Sequence, residues 1–446
     1  MPAEREILGL NAFDRKSSRV ADPALRAALD KRLRNFGSGT VLFFEEPIRM
    51  DSASGAWMTD VSGRRYLDLY NNVPSVGHCH PRVVEAISRQ AARLSTHTRY
   101  LTEVVDAYAE RLLDTFPPGL DRVVLTCTGS EANDLALRIA EASTGGTGFV
   151  VTAAAYHGNT AAVTAVSPSS RPGTPPPSHV PTVPAPGAGG GAPEAIGPGF
   201  AAAVEAAVDD LERGGVRVAG LLVDTVFSSD GIVTDPPGFL AQAAAVVRRR
   251  GGLFMADEVQ PGFGRTGAGL WGFARHGLVP DLVTLGKPMG NGFPMGAVVT
   301  RPDLLDAFTD QVKYFNTFGG NPVAAAAGAA VLDVIRDEML IENARVVGAY
   351  LAGRLRALTE RHHVVGDIRG VGLFIGLDLV EPAGKRPAPE IATALINGLR
   401  RRDILIGAAG ALGNTLKIRP PLCLTCEQAD LFVDGLDAEL ELIGPA

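Results

Sequence analysis

Leu253-Phe254-Met255-Ala256-Asp257-Glu258-Val259-Gln260 and, further along, Leu282-Val283-Thr284-Leu285-Gly286-Lys287-Pro288-Met289-Gly290-Asn291-Gly292 decide how this chain is read. Each opens on a short apolar run that leads into charged residues, Asp257 and Glu258 in the first and Lys287 in the second. A short run without polar alternation reads as a strand buried on both faces. Comparable runs at Val123–Cys127, Phe149–Ala153, Leu221–Asp224 and Ala297–Thr300 alternate with helical periods. That alternation predicts an α/β fold with a mostly parallel central sheet flanked by helices.

Upstream, a helix is expected from Pro23 to Asn35, ending near Gly37. Period-two segments follow at Val41–Met50, Ala56–Asp60 and Arg65–Leu69, with a Ser62-Gly63 turn before the last, and then helices at Pro81–Leu94 and Glu103–Thr115. Downstream of Asn321 the pattern reads as a long Ala-rich helix, then helix, strand (Gly372–Leu377), helix, strand (Leu416–Ile418) and helix: a smaller α/β domain. Residues 167–199, rich in Pro, Gly, Ala and Ser, are expected to form an exposed loop.

Of the 446 residues, 46% are hydrophobic and 20% charged, enough for a large core and more than one domain. The net charge of -7 argues against nucleic acid or an anionic membrane as the main partner. No apolar run reaches the roughly 20 residues of a membrane span, and the charged start of the chain carries no secretory signal, so a cytoplasmic protein is expected. The four cysteines make no disulfide framework. Cys423 and Cys426 form a lone CxxC, read as two small residues beside a helix start. His78-Cys79-His80 lacks a further ligand at useful spacing and is read as a turn before Pro81, so no metal site is expected.

Several polar groups stand at the carboxyl ends of the predicted strands, where open α/β sheets bind ligands. Gly129 and Ser130 follow Val123–Cys127 at a helix start. Free N–H groups, the positive dipole end and a hydroxyl there suit a phosphate, although Gly-Ser before a helix is more often only a cap. Tyr156 follows Phe149–Ala153 and offers a ring to stack on a flat heterocycle; alone it reads as an ordinary half-buried tyrosine. Asp257 ends a buried strand, where a carboxylate needs a partner such as a pyridinium N–H or an internal cation. Lys287 sits in an apolar, Gly-rich stretch, where desolvation frees the amine as a nucleophile; a surface lysine is the plain alternative. A phosphate cradle, a stacker, a buried acid and a buried lysine are together the parts that pyridoxal 5'-phosphate requires.

The motifs Thr128-Gly129-Ser130-Glu131-Ala132-Asn133, Tyr156-His157-Gly158, Ala256–Gln260 with Gly262-Phe263-Gly264-Arg265, Gly286–Gly292 and Thr317-Phe318-Gly319-Gly320-Asn321-Pro322 resemble the class III aminotransferases, pyridoxal-phosphate enzymes of fold type I. The resemblance runs from about residue 40 to the C-terminus. It implies a Schiff base on Lys287, Asp257 against the pyridine nitrogen, Tyr156 stacked on the ring, Gln260 near the ring hydroxyl, and Gly129 and Ser130 on the phosphate. It also implies a homodimer in which Thr317 reaches the cofactor phosphate of the neighbouring subunit. The implied organisation is an N-terminal segment (1–70) that joins a C-terminal small domain (329–446), with a large cofactor-binding domain (71–328) between them.

Asn71-Asn72-Val73, Gly77–Pro81, Thr98–Leu101, Tyr314–Thr317, Gly366–Gly370 and Leu416–Pro421 are similar to one branch of that family. It comprises the ethanolamine-phosphate and 5-phosphohydroxylysine phospho-lyases, often labelled alanine–glyoxylate aminotransferase 2-like. Where many class III transaminases carry a carboxylate-gripping arginine, this chain has Lys417, with Arg419 two residues on; Asp224 stands where a glutamate pairs with that arginine. Lysine is a point charge rather than a fork, so Lys417 and Arg419 are expected to form a cationic pocket for a phosphate or other anion. Arg99 either joins them or makes a surface salt bridge. The expected activity is β-elimination of phosphate from an O-phosphoethanolamine-like amine, with Lys287 as the base. The alternative is transfer of an amino group to a keto acid such as pyruvate or glyoxylate. A non-catalytic, cofactor-binding regulator would need a basic DNA-binding arm, which the acidic chain lacks.

Overall fold

The computed structural model describes residues 9–14, 20–37, 39–188, 192–382 and 386–443. Its strands are β1 (Met50–Ser54), β2 (Trp57–Asp60), β3 (Arg65–Asp68), β4 (Arg122–Thr126), β5 (Gly148–Thr152), β6 (Thr182–Val183), β7 (Val218–Asp224) and β8 (Leu253–Asp257). Then follow β9 (Leu282–Leu285), β10 (Gly296–Thr300), β11 (Val365–Val371), β12 (Phe374–Leu379), β13 (Ile404–Leu405), β14 (Gly407–Ala409) and β15 (Thr415–Ile418). The main sheet has the order β4-β10-β9-β8-β7-β5-β6. Only β10 runs against its neighbours. Strands β5, β8, β9 and β10 are buried along their whole length, as expected of apolar runs covered on both faces.

The covering helices are α1 (Pro23–Phe36), α2 (Pro81–Ala91), α3 (Glu103–Leu113), α4 (Gly129–Thr144), α5 (Ala161–Ala165), α6 (Pro193–Arg213) and α7 (Leu240–Arg249). They continue as α8 (Pro302–Thr309), α9 (Pro322–Asp337), α10 (Leu340–Leu358), α11 (Pro389–Arg401) and α12 (Cys426–Ile443). The start of α4 is fixed by a reciprocal cap: the Glu131 N–H donates to Thr128 Oγ1 at 3.1 Å, and the Cys127 N–H donates to Glu131 Oε2 at 2.6 Å. Such a cap contributes about 1 kcal/mol and sets where the free N–H groups of the first turn point.

Two further sheets are formed among the described residues. In one, β1, β2 and β3 pair antiparallel, and β3 pairs parallel with β13 from near the other end of the chain. In the other, β11, β12, β15 and β14 form an antiparallel sheet. None of the described helices is long and apolar enough to cross a membrane.

Three expectations need correction. Val41–Met50 is not a strand, and the ladder begins at Met50. Phe44 adopts a left-handed φ of 71°, and Pro47 has no N–H to donate, so the alternation there cannot pair as a strand. Residues 167–199 are not wholly an exposed loop. Val180 and Val183 are buried, β6 adds a strand to the sheet edge, and α6 begins at Pro193, whose ring is preset for a first helical turn. The strand expected at Gly372–Leu377 begins at Phe374, and β11 precedes it; Gly366 and Gly370 break the apolar alternation of β11 in the sequence.

Candidate active site

The register of the main sheet aligns the carboxyl ends of its central strands. Asp224 at the end of β7 is opposite Asp257 at the end of β8, and Asp257 is opposite Thr284 in β9. A cavity of about 280 Å³ opens at this edge. Gly129, Ser130, Tyr156, Asp257, Gln260 and Lys287 all line it.

Asp257 is buried and its carboxylate is fully engaged. Oδ1 accepts from the Val259 N–H at 3.0 Å. Oδ2 accepts from Asn133 Nδ2 at 3.0 Å and from His157 Nδ1 at 2.7 Å. Two donors on one oxygen offset part of the cost of burying the group. Because the carboxylate only accepts, His157 carries its proton on Nδ1, and its buried Nε2 has no partner among the described residues. Asn133 is itself fixed by Thr284 Oγ1, which donates to its Oδ1 at 2.8 Å, and by its own bond to the His157 carbonyl at 2.8 Å. Asn133 and His157 were not singled out in the sequence, although both stand inside motifs quoted for the resemblance. A buried asparagine on α4 and a histidine after β5 meet Asp257 only through the fold.

Lys287 follows β9 and has no hydrogen-bond or ion-pair partner among the described residues. Although it retains some exposure to the cavity, enclosing atoms remove most of its hydration. That loss, followed by repulsion from Arg419, pulls its amine down to about 8, against the opposing pull of Asp257 and Asp224. The chain bends sharply around it. Asn291 adopts φ 48°, and its side chain accepts from the Val76 N–H and donates to the Gly77 carbonyl, both at 2.9 Å. The loop that carries Lys287 is thus fastened to the loop that follows Tyr70.

Opposite the lysine, the first turn of α4 is left open by missing side chains. A Cβ at Gly286 would stand 3.0 Å from the Gly129 N and Cα, and a Cβ at Gly158 would stand 2.5 Å from Ser130 Oγ. Backbone therefore comes close to backbone where N–H groups of a helix start face the cavity, an arrangement suited to a phosphate. Tyr156 is half-buried, and burial raises its hydroxyl pKa.

The cations expected at the far end are buried in β15 and just after it. Lys417 is held well below the usual lysine range by desolvation and by Arg419, with Asp224 pulling back. Asp224 is raised by burial and by Asp257; it accepts from the Val226 and Ser228 N–H groups and forms no ion pair with Lys417 among the described residues. Arg419 donates through Nη1 to Asn72 Oδ1 at 3.1 Å and also to Gln260 Oε1. Gln260 donates in turn to Ser228 Oγ. The guanidinium lies 4.6 Å over the Tyr70 ring.

Two expected site residues lie elsewhere. Arg99 is exposed, 4.0 Å over the Phe315 ring, and does not line the cavity. Thr317 is also exposed, between Phe315 and Phe318, which are themselves exposed. The remaining candidates are structural. His78 and His80 contact Asp68 and Glu338 separately. Cys423 and Cys426 are free thiols, and no three His, Cys, Asp or Glu residues among those described could share a metal ion.

Pyridoxal 5'-phosphate fits this cavity in its chemistry. A glycine-lined helix start is offered for a phosphate, a half-buried ring for a flat heterocycle, a carboxylate anchored from behind for a ring N–H, and an unpartnered amine for an aldehyde.

A family model, Aminotransferase class-III, matches residues 44–440. "Ethanolamine-phosphate phospho-lyase homolog 1" of Caenorhabditis elegans is 39% identical, with 93% of each chain covered. "Alanine--glyoxylate aminotransferase 2 homolog 2, mitochondrial" of Arabidopsis thaliana is 39% identical over 93% of this chain and 87% of that protein. Among solved structures, a phospholyase from Arthrobacter in complex with phosphoethanolamine superposes with a TM-score of 0.89 at 43% identity, covering 93% of this chain and 99% of that one.

Proposed function

The chain belongs to the class III aminotransferase family and is a pyridoxal-phosphate-dependent enzyme; on that premise we propose that it is an amine phospho-lyase acting on O-phosphoethanolamine or a close phosphoamine. The observation that carries this reading is the pair of buried basic residues, Lys417 and Arg419, close enough to Lys287 for their charges to be felt there. Two such charges in a protein interior call for an anion. The likeness to a phospholyase that binds phosphoethanolamine points the same way.

In this reading Gly129, Ser130 and the α4 N-terminus hold the cofactor phosphate, Tyr156 covers the ring, and Asp257 accepts the ring N–H. Gln260 stands near the ring hydroxyl, and Lys287 binds the aldehyde. The cofactor supplies a cationic ring that stabilises negative charge on the amine-bearing carbon. His157 and Asn133 hold the Asp257 carboxylate in place and aimed. Lys287 Nζ takes the proton from the amine-bearing carbon. Burial, which in the cofactor-free chain pulls this amine down to about 8, favours the neutral form that the proton transfer needs. Lys417 and Arg419 hold the phosphate, whose C–O bond breaks with the electron pair leaving on oxygen. Water completes the balance, so that O-phosphoethanolamine and water give acetaldehyde, ammonia and phosphate. Thr317, exposed together with Phe315 and Phe318, is assigned to a face shared with a second copy, where it reaches that copy's cofactor phosphate.

Transfer of the amine to a keto acid is the second reading, and the likeness to an alanine–glyoxylate aminotransferase homolog favours it. Incubation with O-phosphoethanolamine, with phosphate and ammonia assayed together, separates the two. Equal release of both is expected. Intact yellow enzyme that releases no phosphate contradicts the lyase reading.

A further inference from the structure

Asn72 and Arg419 stand out for what they lack. Both are at least nine-tenths buried. Yet Asn72 Nδ2 and Arg419 Nε have no hydrogen-bond partner among the described residues. A buried donor without an acceptor carries its full desolvation penalty, which is larger when the group is charged. The Asn72 amide cannot relieve this by turning over. Its other end receives Arg419 Nη1, a guanidinium only donates, and so Oδ1 must face the arginine and Nδ2 must face away. On the arginine, Nη1 is taken by Asn72 and Gln260, while Nη2 has no partner among the described residues. The free edge is therefore Nε with Nη2, the side of a guanidinium that grips two oxygens of one anion.

The surroundings hold this edge in place. The Arg419 N–H donates to the Leu69 carbonyl at 2.9 Å, and the Leu422 N–H donates to the Ser75 carbonyl at 2.7 Å, so the end of β15 is laced to residues 69–75. Asp68 Oδ1 accepts from the Tyr70 and Asn71 N–H groups at 3.0 and 2.9 Å. The Tyr70 ring covers one face of the guanidinium, leaving its in-plane edge for a ligand. Gln260, bonded to Arg419, and Val73, next to Asn72, both line the cavity that holds Lys287.

We propose that Asn72, with the Nε–Nη2 edge of Arg419, binds the phosphate group of the substrate and the phosphate released from it. Asn72 is then a specificity residue, because a phosphate-free amine has nothing to fill the vacant donors. Tyr70 and Gln260 are positioning residues for the arginine. The assignment rests on the phospho-lyase reading for the identity of the anion, but binding of inorganic phosphate tests it separately.

The test is titration of the holoenzyme with inorganic phosphate by calorimetry, alongside KM for O-phosphoethanolamine and binding of ethanolamine. Asn72→Ala, with cofactor absorbance intact, is expected to weaken phosphate binding and raise that KM by about tenfold or more, with ethanolamine binding within about twofold. Asn72→Asp preserves the shape and neutralises Arg419, so it is expected to abolish phosphate binding even if the alanine variant does not fold. Phosphate binding to either variant at wild-type strength overturns the proposal. So does an equal loss for ethanolamine, which indicates a merely structural asparagine. If phosphate binds in an Asn72-dependent way but O-phosphoethanolamine releases none, the anion site stands and the lyase reading falls.

Discussion

At Asp257 both carboxylate oxygens have donors, whereas at Arg419 and Asn72 buried donors are left without acceptors among the described residues. The two regions belong to different sheets and meet at Gln260, which is bonded to Arg419 and lines the same cavity as Asp257, yet they are built in opposite ways. The acid is supported from behind by His157 and Asn133, with Thr284 and Ser167 behind those, so it is fixed before anything binds. The cationic end is aimed by Tyr70, Gln260 and backbone lacing but remains unsatisfied. In the proposed reading the satisfied acid serves a resident cofactor, and the unsatisfied donors serve a ligand that comes and goes. The difference separates chemistry shared across the family from chemistry that selects a substrate.

The sharpest way to break the comparison is at the residue both ends depend on. Lys287→Ala is expected to remove the aldimine-type absorbance and borohydride trapping of the holoenzyme, and to lower phosphate release by a factor of about 10² to 10⁴ or beyond detection. If trapping survives, the cofactor end has been placed wrongly. Next in size, Asp257→Asn turns an N–H toward His157 or Asn133 and removes the charge. Turnover is expected to fall about a hundredfold or more and stability by about 1–3 kcal/mol, read by kcat and thermal unfolding. Wild-type melting together with wild-type kcat would show that the anchored carboxylate does not matter.

The smallest effect links the two ends. In the cofactor-free chain Lys287 titrates near 8 rather than 10.5. Capture of a small aldehyde at this lysine should therefore rise with pH and level off above about 8. Arg419→Met removes a repelling charge and should move that midpoint upward. The unfolded chain binds more protons between about 8 and 10.5, so this group makes the cofactor-free protein more stable as pH rises through that window. A midpoint that does not move on Arg419→Met would separate the two ends.

Much of the cofactor end was legible in the sequence because its parts stand at the ends of strands that announce themselves. Leu253–Asp257 and Leu282–Leu285 have the boundaries expected of them. Asp257, Lys287, Gly129, Ser130, Tyr156 and Gln260 could each be read from a local motif, and the fold brings them to one cavity. The meeting of Asn133 and His157 on Asp257 was not legible, because it depends on contacts across 124 and 100 residues. The Asn72–Arg419 bond spans 347 residues and depends on how β15 is laced to the segment after β3. Arg99 and Thr317 carry motif positions, but what an exposed side chain serves depends on a surface beyond the single chain. The breaks at Phe44 and Pro47, and the glycines of β11, show where backbone geometry overrode hydrophobic alternation.

The central claim is that the amine leaves as ammonia because phosphate is expelled, not that it is passed to an acceptor. Nitrogen-labelled O-phosphoethanolamine, given to the holoenzyme with excess pyruvate, tests this directly by following where the label goes. The account predicts label in free ammonium, with one phosphate released per amine consumed; label in alanine with phosphate still bound to carbon would contradict it.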